Sequence, residues 1–299
     1  MRIRTLAPLT ALAAVTALAL TGCVDNSTPS SGSPTSAGAG VTKNTTLADQ
    51  LPSNIKSAGQ IVIGMDDTYP PNEYKDDNGN PAGWEVDLGN AIAAKLGVKA
   101  NYAVAKFDNI IPSIAGGKDD FGMSSFTDTT EREKQVDFVN YYSAGILWAS
   151  AKGKTVNPDS ACGMKVAVQA TTYEDTDEVP AKSKKCTQAG KPAIQALRYD
   201  TQQDATNAVI LGKADALSAD SPVTLYAISK SGGKLQEAGK TFDEAPYGLP
   251  VAKNSKLTPV LQKAVQALID DGTYKKILDK WGVADGAVTT ADLNAASKG

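Results

Sequence analysis

The chain has 299 residues, with 30 lysines and arginines set against 33 aspartates and glutamates and a formal net charge of -3. That near balance, with lysines scattered rather than clustered, gives no electrostatic footprint for nucleic acid. Histidine is absent, which removes the commonest general base and metal ligand.

At the start of the chain, Met1-Arg2-Ile3-Arg4 and an apolar run to Leu20 have the charged and apolar regions of a secretory signal, too short to span a bilayer comfortably. Leu20-Thr21-Gly22-Cys23 resembles a lipobox, which implies that residues 1–22 are removed and that Cys23 is diacylated. Ordinary signal cleavage with Cys23 as a bystander is the alternative. From Val24 to about Thr46 the residues are Ser, Thr, Gly, Pro, Ala and Asn with almost no apolar bulk. Nothing there offsets the entropy of ordering, so residues 23–48 are expected to be a flexible tether. Two acyl chains anchor firmly where one would be weak.

From about Asp49 the chain is long enough for a two-lobed α/β protein. Ile61 to Met65 reads as a short buried strand, and Asp76-Asp77-Asn78-Gly79-Asn80-Pro81 as the tip of a hairpin. Val86 to Leu96 has helical apolar spacing stopped by Gly97 in the C-cap position. Asn101 to Ala105 follows as a strand, Ile110 to Ala115 as a helix and Phe121 to Ser124 as the next strand. After Ile146 to Ala151 the alternation begins again. Strands are expected at Lys165 to Gln169, Ala193 to Tyr199 and Ala216 to Ala219, with helices at Thr201 to Leu211 and Pro222 to Ser229. Two amphipathic helices, Thr258 to Asp271 and Thr273 to Trp281, should return to cover the first unit. Cys162 and Cys186, in a chain expected to be exported to an oxidising compartment, are expected to pair; separate buried thiols are the alternative.

Two stretches repeat one pattern. Gly117-Lys118-Asp119-Asp120 and Gly212-Lys213-Ala214-Asp215 each end a helix and lead into a short apolar strand, which delivers a polar residue five positions after its last aspartate: Ser125 and Asp220. The first copy is followed by Thr127 and Arg132. One copy can therefore hold an anion and the other a cation, which suits a zwitterion. Acidic pairs such as Asp76-Asp77, Asp119-Asp120 and Asp270-Asp271 lack calcium-loop spacing and are expected at turns and helix ends, so no metal is expected.

Several segments in order resemble the polar amino-acid family of extracellular solute-binding proteins that serve ABC importers. They are Asp66-Asp67-Thr68-Tyr69-Pro70-Pro71, Gly83-Trp84-Glu85-Val86-Asp87-Leu88, Phe107-Asp108-Asn109-Ile110-Ile111-Pro112-Ser113, Thr127-Asp128-Thr129-Thr130-Glu131-Arg132, and the closing Asp271-Gly272-Thr273-Tyr274 and Lys280-Trp281-Gly282. The resemblance implies a two-lobed type II periplasmic-binding-protein fold, α/β, each lobe a mixed sheet flanked by helices, joined by a two-strand hinge. It implies lobe one at 49–143 and 246–285, lobe two at 144–245 and a C-terminal tail at 286–299. Partners implied are a free amino acid, an ABC permease and its ATPase. A monomer without cofactor, lipid-anchored to the outer face of the cell membrane, is expected.

The same resemblance implies site roles. Arg132 would hold the ligand's α-carboxylate through its planar fork, with Thr127 assisting. Ser125, aided by Ser124, would accept from the ammonium. Asp220 would pair with that ammonium, although capping the helix at Ser221-Pro222 is its alternative role. Thr171 and Thr172 match a Gly-Thr-Thr turn with Ala170 where glycine is expected, which leaves open the threonine that faces the ligand. Tyr69 and Phe107 would wall the side chain and could equally be core. Asp66, with Asp67 and Glu73 nearby, favours a cationic side chain, while Asn72 replaces an expected phenylalanine. Trp84 and Trp281 are assigned to packing. A dehydratase-like enzyme on the same scaffold, with Glu73 or Asp66 as general acid, and a tethered sensor or adhesin are the competing readings.

Overall fold

The computed structural model describes residues 40–298, so the signal segment, Cys23 and most of the expected tether lie outside the described residues. The domain begins earlier than residue 49. Asn44 caps helix α1 (Thr45–Gln50), accepting from the Leu47 amide at 3.1 Å, and its own N–H donates to the Lys95 carbonyl at 2.8 Å. Leu47 and Ala48 are buried, so this short apolar pair belongs to the packed fold and not to the expected tether. Helix α2 (Ser53–Ala58) stops at Gly59 in the left-handed region. Both helices are too short to show periodicity in the sequence.

The first unit continues through β1 (Gln60–Met65), β2 (Thr68–Tyr69), β3 (Glu73–Lys75), β4 (Pro81–Ala82), α3 (Trp84–Leu96), β5 (Lys99–Val104), α4 (Phe107–Ala115) and β6 (Phe121–Gly122). Asp76 ties the turn between β3 and β4 by accepting from the Asn78 and Asn80 amides at 2.9 and 2.8 Å. Gly83, at φ +126°, lies so close to that hairpin that a Cβ there would stand 2.0 Å from the Asn72 carbonyl oxygen. This contact seats the start of α3 directly on β3.

A long strand, β7 (Val136–Ala151), leads to β8 (Lys165–Gln169), α5 (Val179–Gln188), β9 (Gln195–Tyr199), α6 (Gln202–Ile210), β10 (Ala216–Asp220), α7 (Ser221–Lys230) and a second long strand, β11 (Leu235–Ala252). One turn of π-helix, Glu174–Glu178, precedes α5. That helix was not anticipated: only Val179 and Cys186 of it are buried, so it carries no apolar stripe. Cys186 is bonded to Cys162. Helices α8 (Thr258–Asp270) and α9 (Thr273–Trp281) return to pack on α3.

The large strands form one mixed sheet in the order β5-β1-β6-β11-β7-β10-β8-β9, and β2, β3 and β4 form a small one. β7 and β11 pair antiparallel along their lengths, with register shifts between Ala238 and Phe242, Phe242 and Ala245, and Tyr247 and Gly248. Tyr141, Tyr142 and Ala144 belong to the core around Ile63, Trp84 and Leu261, whereas Ile146 and Trp148 belong to the core around Val166 and Val168. On β11 the same change falls between Phe242 and Tyr247. Each long strand thus feeds two cores, giving a two-lobed α/β protein. Residues expected as a C-terminal tail lie on lobe one, where Ala291 is buried and the Asp292 carbonyl accepts from the Asn140 amide at 2.8 Å.

The two lobes share a construction at the repeated motif. Asp120 accepts from the Val62 amide at 2.7 Å, and Asp215 accepts from the Lys165 amide at 2.8 Å. Each aspartate also donates its own N–H to the same partner's carbonyl. Both carboxylates therefore fix a strand edge, and each following strand ends at the cleft between the lobes.

Candidate functional site

Lobe one supplies most of the cleft. Beyond β1, Asp66 accepts from the Thr68 amide at 2.9 Å, the Phe107 amide at 3.2 Å and the Gln169 side-chain amide at 2.9 Å. It thus holds the N-terminus of α4 and reaches lobe two. Beyond β6, the Ser124 hydroxyl accepts from the Asp66 amide at 3.0 Å and donates to Glu73 at 2.8 Å. Ser125 follows at φ +52°. Its hydroxyl donates to Glu85 at 2.8 Å and accepts from the Asn72 side chain at 2.8 Å.

Arg132 is steered by stacked aromatics. The Phe107 and Phe126 rings lie 4.3 Å apart, and the guanidinium sits 5.6 and 5.5 Å from their centroids. Its Nη1 donates to the Thr127 carbonyl at 2.7 Å and its Nη2 to the Thr171 carbonyl at 3.0 Å, the latter across the cleft. Two of its five donors are thereby committed to aiming the fork.

Lobe two presents Asp220 at the end of β10. Asp220 occupies the N-cap position of α7, yet its side chain makes no capping bond. Instead it accepts from the Tyr69 hydroxyl at 2.8 Å. Thr172 is buried and donates to the Gln169 carbonyl at 2.9 Å. Thr171 is exposed at φ +65°, so it is Thr171, not Ala170, that occupies the left-handed turn position suited to glycine. Its contribution to the cleft is the carbonyl that meets Arg132.

Asp66, Tyr69, Phe107, Ser124, Ser125, Thr127, Arg132, Thr172 and Asp220 line one narrow cleft; Thr171 does not line it. Trp84 and Trp281 lie elsewhere, Trp84 donating to Asn72 at 2.7 Å and Trp281 to Asp87 at 2.8 Å. The cleft also contains Glu73, expected from sequence as added negative charge and, in the competing enzyme reading, as a general acid, together with Gln169, Tyr173 and Glu174. Gln169 could have been found as the last inward residue of its strand. Glu174 carried no signal, because it enters on the π-helical turn. Its Oε1 is buried with no hydrogen-bond partner among the described residues.

Four carboxyls share this lining with one guanidinium. Burial pushes Asp220 up to about 6 and, with the Asp220 charge adding, Glu174 up to about 8. Burial likewise raises Asp66, and it raises Glu73 further with Glu85 beside it. Burial lowers the Arg132 guanidinium, opposed by Glu174, Asp177 and Asp220. The arrangement offers a guanidinium end, a carboxylate end and an acidic flank within one small space.

This fold and cleft belong to a known class: over residues 61–284 the chain matches the bacterial extracellular solute-binding proteins, family 3, and it belongs to that family. It is similar to the arginine-binding protein ArgT of Corynebacterium glutamicum, 39% identical over 82% of this chain and 81% of that one. It is also similar to an L-arginine-binding protein of Pseudomonas aeruginosa, 32% identical over 74% of this chain and 87% of that one. Among solved structures, an ancestral arginine-binding protein, determined with arginine and again with glutamine bound, has a TM-score of 0.68 at 34% identity and covers 75% of this chain and 98% of that chain.

Proposed function

We propose that this protein binds a free amino acid with a cationic side chain, arginine foremost, between its lobes and presents it to an ABC permease by closing around it. The observation that carries the ligand class is the excess of carboxyls over the single Arg132 guanidinium in the lining. A zwitterion satisfies Arg132 and Asp220, and a cationic side chain adds a partner for the remaining acids. Arg132, assisted by Thr127 and the Thr172 turn, takes the α-carboxylate. Asp220, with Ser124 and Ser125, takes the α-ammonium. Tyr69 and Phe107 flank the side chain as it runs towards Asp66 and Glu73.

Closure follows from which lobe each group belongs to. A ligand gripped by Arg132 of lobe one and Asp220 of lobe two gains contacts only when both are near it, so it stabilises the closed state by that difference. Tyr69 to Asp220, Gln169 to Asp66 and Lys106 to Asp200 are protein contacts across the same cleft. Export, diacylation at Cys23 and tethering at the outer face of the membrane fit the N-terminal sequence and this role.

A thermal-shift panel of amino acids tests the reading. At a hundred times its dissociation constant a ligand adds about 2.7 kcal/mol of stability, which is a rise of about 5–10 °C for a chain of this size. Arginine should give that rise, and Arg132→Ala or Asp220→Ala should weaken its binding by about 2–5 kcal/mol. Silence across all amino acids, or near-native binding by both variants, refutes the assignment. Arginine recovered unchanged after long incubation separates binding from chemistry.

A further inference from the structure

Beneath Ser125 lies a second carboxyl that no ligand contact explains. Glu85, at the start of α3, is fully buried and accepts three bonds: from the Tyr141 hydroxyl at 2.6 Å, the Ser125 hydroxyl at 2.8 Å and the Ser125 amide at 3.1 Å. Burial raises the Glu85 carboxyl, and these three donors oppose that by favouring its ionised form. The same Ser125 oxygen stands 3.3 Å from Glu73 Oε2. A hydroxyl has one proton, and here the shorter bond to Glu85 takes it. The Asn72 side chain also donates to that oxygen. A hydrogen bond between Ser125 and Glu73 Oε2 therefore needs a proton on Glu73. Neither carboxyl has a lysine or arginine partner among the described salt bridges.

We infer that Glu85 is a specificity-positioning residue: through Ser125 it keeps one proton on Glu73 while the cleft holds no cationic side chain, and that proton leaves to solvent when a guanidinium or ammonium docks on Glu73. The balance is one for one, with a protonated Glu73 carboxyl and a cationic ligand giving a Glu73 carboxylate paired with that ligand and one proton taken up by buffer. The groups around Glu73 favour this exchange. Glu85 of α3 and Asp66 beyond β1 are acidic, Asp220 of β10 faces from lobe two, and Tyr69, Tyr141 and Tyr247 present neutral phenols. Burial and the Glu85 charge both favour the protonated form of Glu73. The pocket can then present a neutral carboxyl to an amide side chain and an anion to a cationic one.

This inference rests on the proposed arginine reading, and its test separates the two. Arginine binding is measured by titration calorimetry at pH 7 in phosphate and in Tris, whose different ionisation enthalpies reveal protons released. The native protein should release close to one proton more with arginine than the Glu85→Gln variant does, because the α-carboxylate and α-ammonium ends are the same in both. Equal release by the two proteins, or none by the native one, overturns the proton exchange while leaving arginine binding intact. Failure of the native protein to bind arginine overturns the ligand reading itself. Should Glu85→Gln not fold, citrulline with the native protein replaces it: arginine should release the extra proton, and failure to exceed the release measured with citrulline, including the case in which citrulline releases none and arginine none, overturns the inference.

Discussion

Thr171 offers a clean test of how the turn beside Arg132 is built. It holds φ +65° with a β-branched, exposed side chain whose hydroxyl has no hydrogen-bond partner among the described residues, while its amide donates to Asp175 at 3.1 Å and its carbonyl accepts from Arg132. The left-handed conformation costs an L-residue about 1–2 kcal/mol. Glycine escapes that cost but gains about 0.5–1 kcal/mol of unfolded-state entropy to lose on folding. Thr171→Gly should therefore stabilise the protein by about 0.5–1 kcal/mol, raising the melting temperature by about 1–4 °C. Urea unfolding with an unchanged m-value is the assay. Because both backbone contacts survive, arginine affinity should stay within about twofold, whereas Thr172→Ala should weaken it. Destabilisation by Thr171→Gly, or a large loss of affinity, would show that this side chain has a role the geometry denies it.

Gly83→Ala should be destabilising by several times that amount, since its Cβ would meet the Asn72 carbonyl at 2.0 Å at a φ that alanine avoids; a variant melting within 2 °C or so of the native protein refutes the close approach. Stability should also fall as pH rises from about 5 to about 8. The buried Glu178 carboxyl ionises near 4.5 in the unfolded chain but is held protonated to about 8 by burial in the fold, so the folded state binds more protons across that window. Each such group contributes a slope of at most about 1.4 kcal/mol per pH unit, and Glu178→Gln should flatten the profile measured by urea midpoints; an unchanged slope refutes it.

The elements were legible where apolar periodicity is strong, as in α8 and α9, whose buried faces pack on α3. They were not legible where stability comes from a few anchors. Helix α5 buries two side chains and is bonded through Cys186, and α1 depends on Asn44 and Leu47. Within the cleft, motif spacing pointed to Arg132 and Asp220, but not to the geometry that frees them. Nothing in Asp220-Ser221-Pro222 says that the carboxylate forgoes the helix it precedes and turns to Tyr69. Glu85 stands in the sequence only as one letter of the segment at residues 83–88 that carries the resemblance, since its partners Tyr141 and Ser125 are 56 and 40 residues away in sequence.

The matched aspartates, Asp120 and Asp215, have a consequence for how polarity arises in this molecule. They brace the two halves in the same way, and the segments that follow carry Ser125 and Asp220 to the same cleft from opposite lobes. A guest would sense one wall from the other chiefly because the first carries the Arg132 guanidinium and the second the Asp220 carboxylate. Head-to-tail orientation of the cargo would then be set by that single cation and anion, while the shared frame that carries them stays indifferent to it.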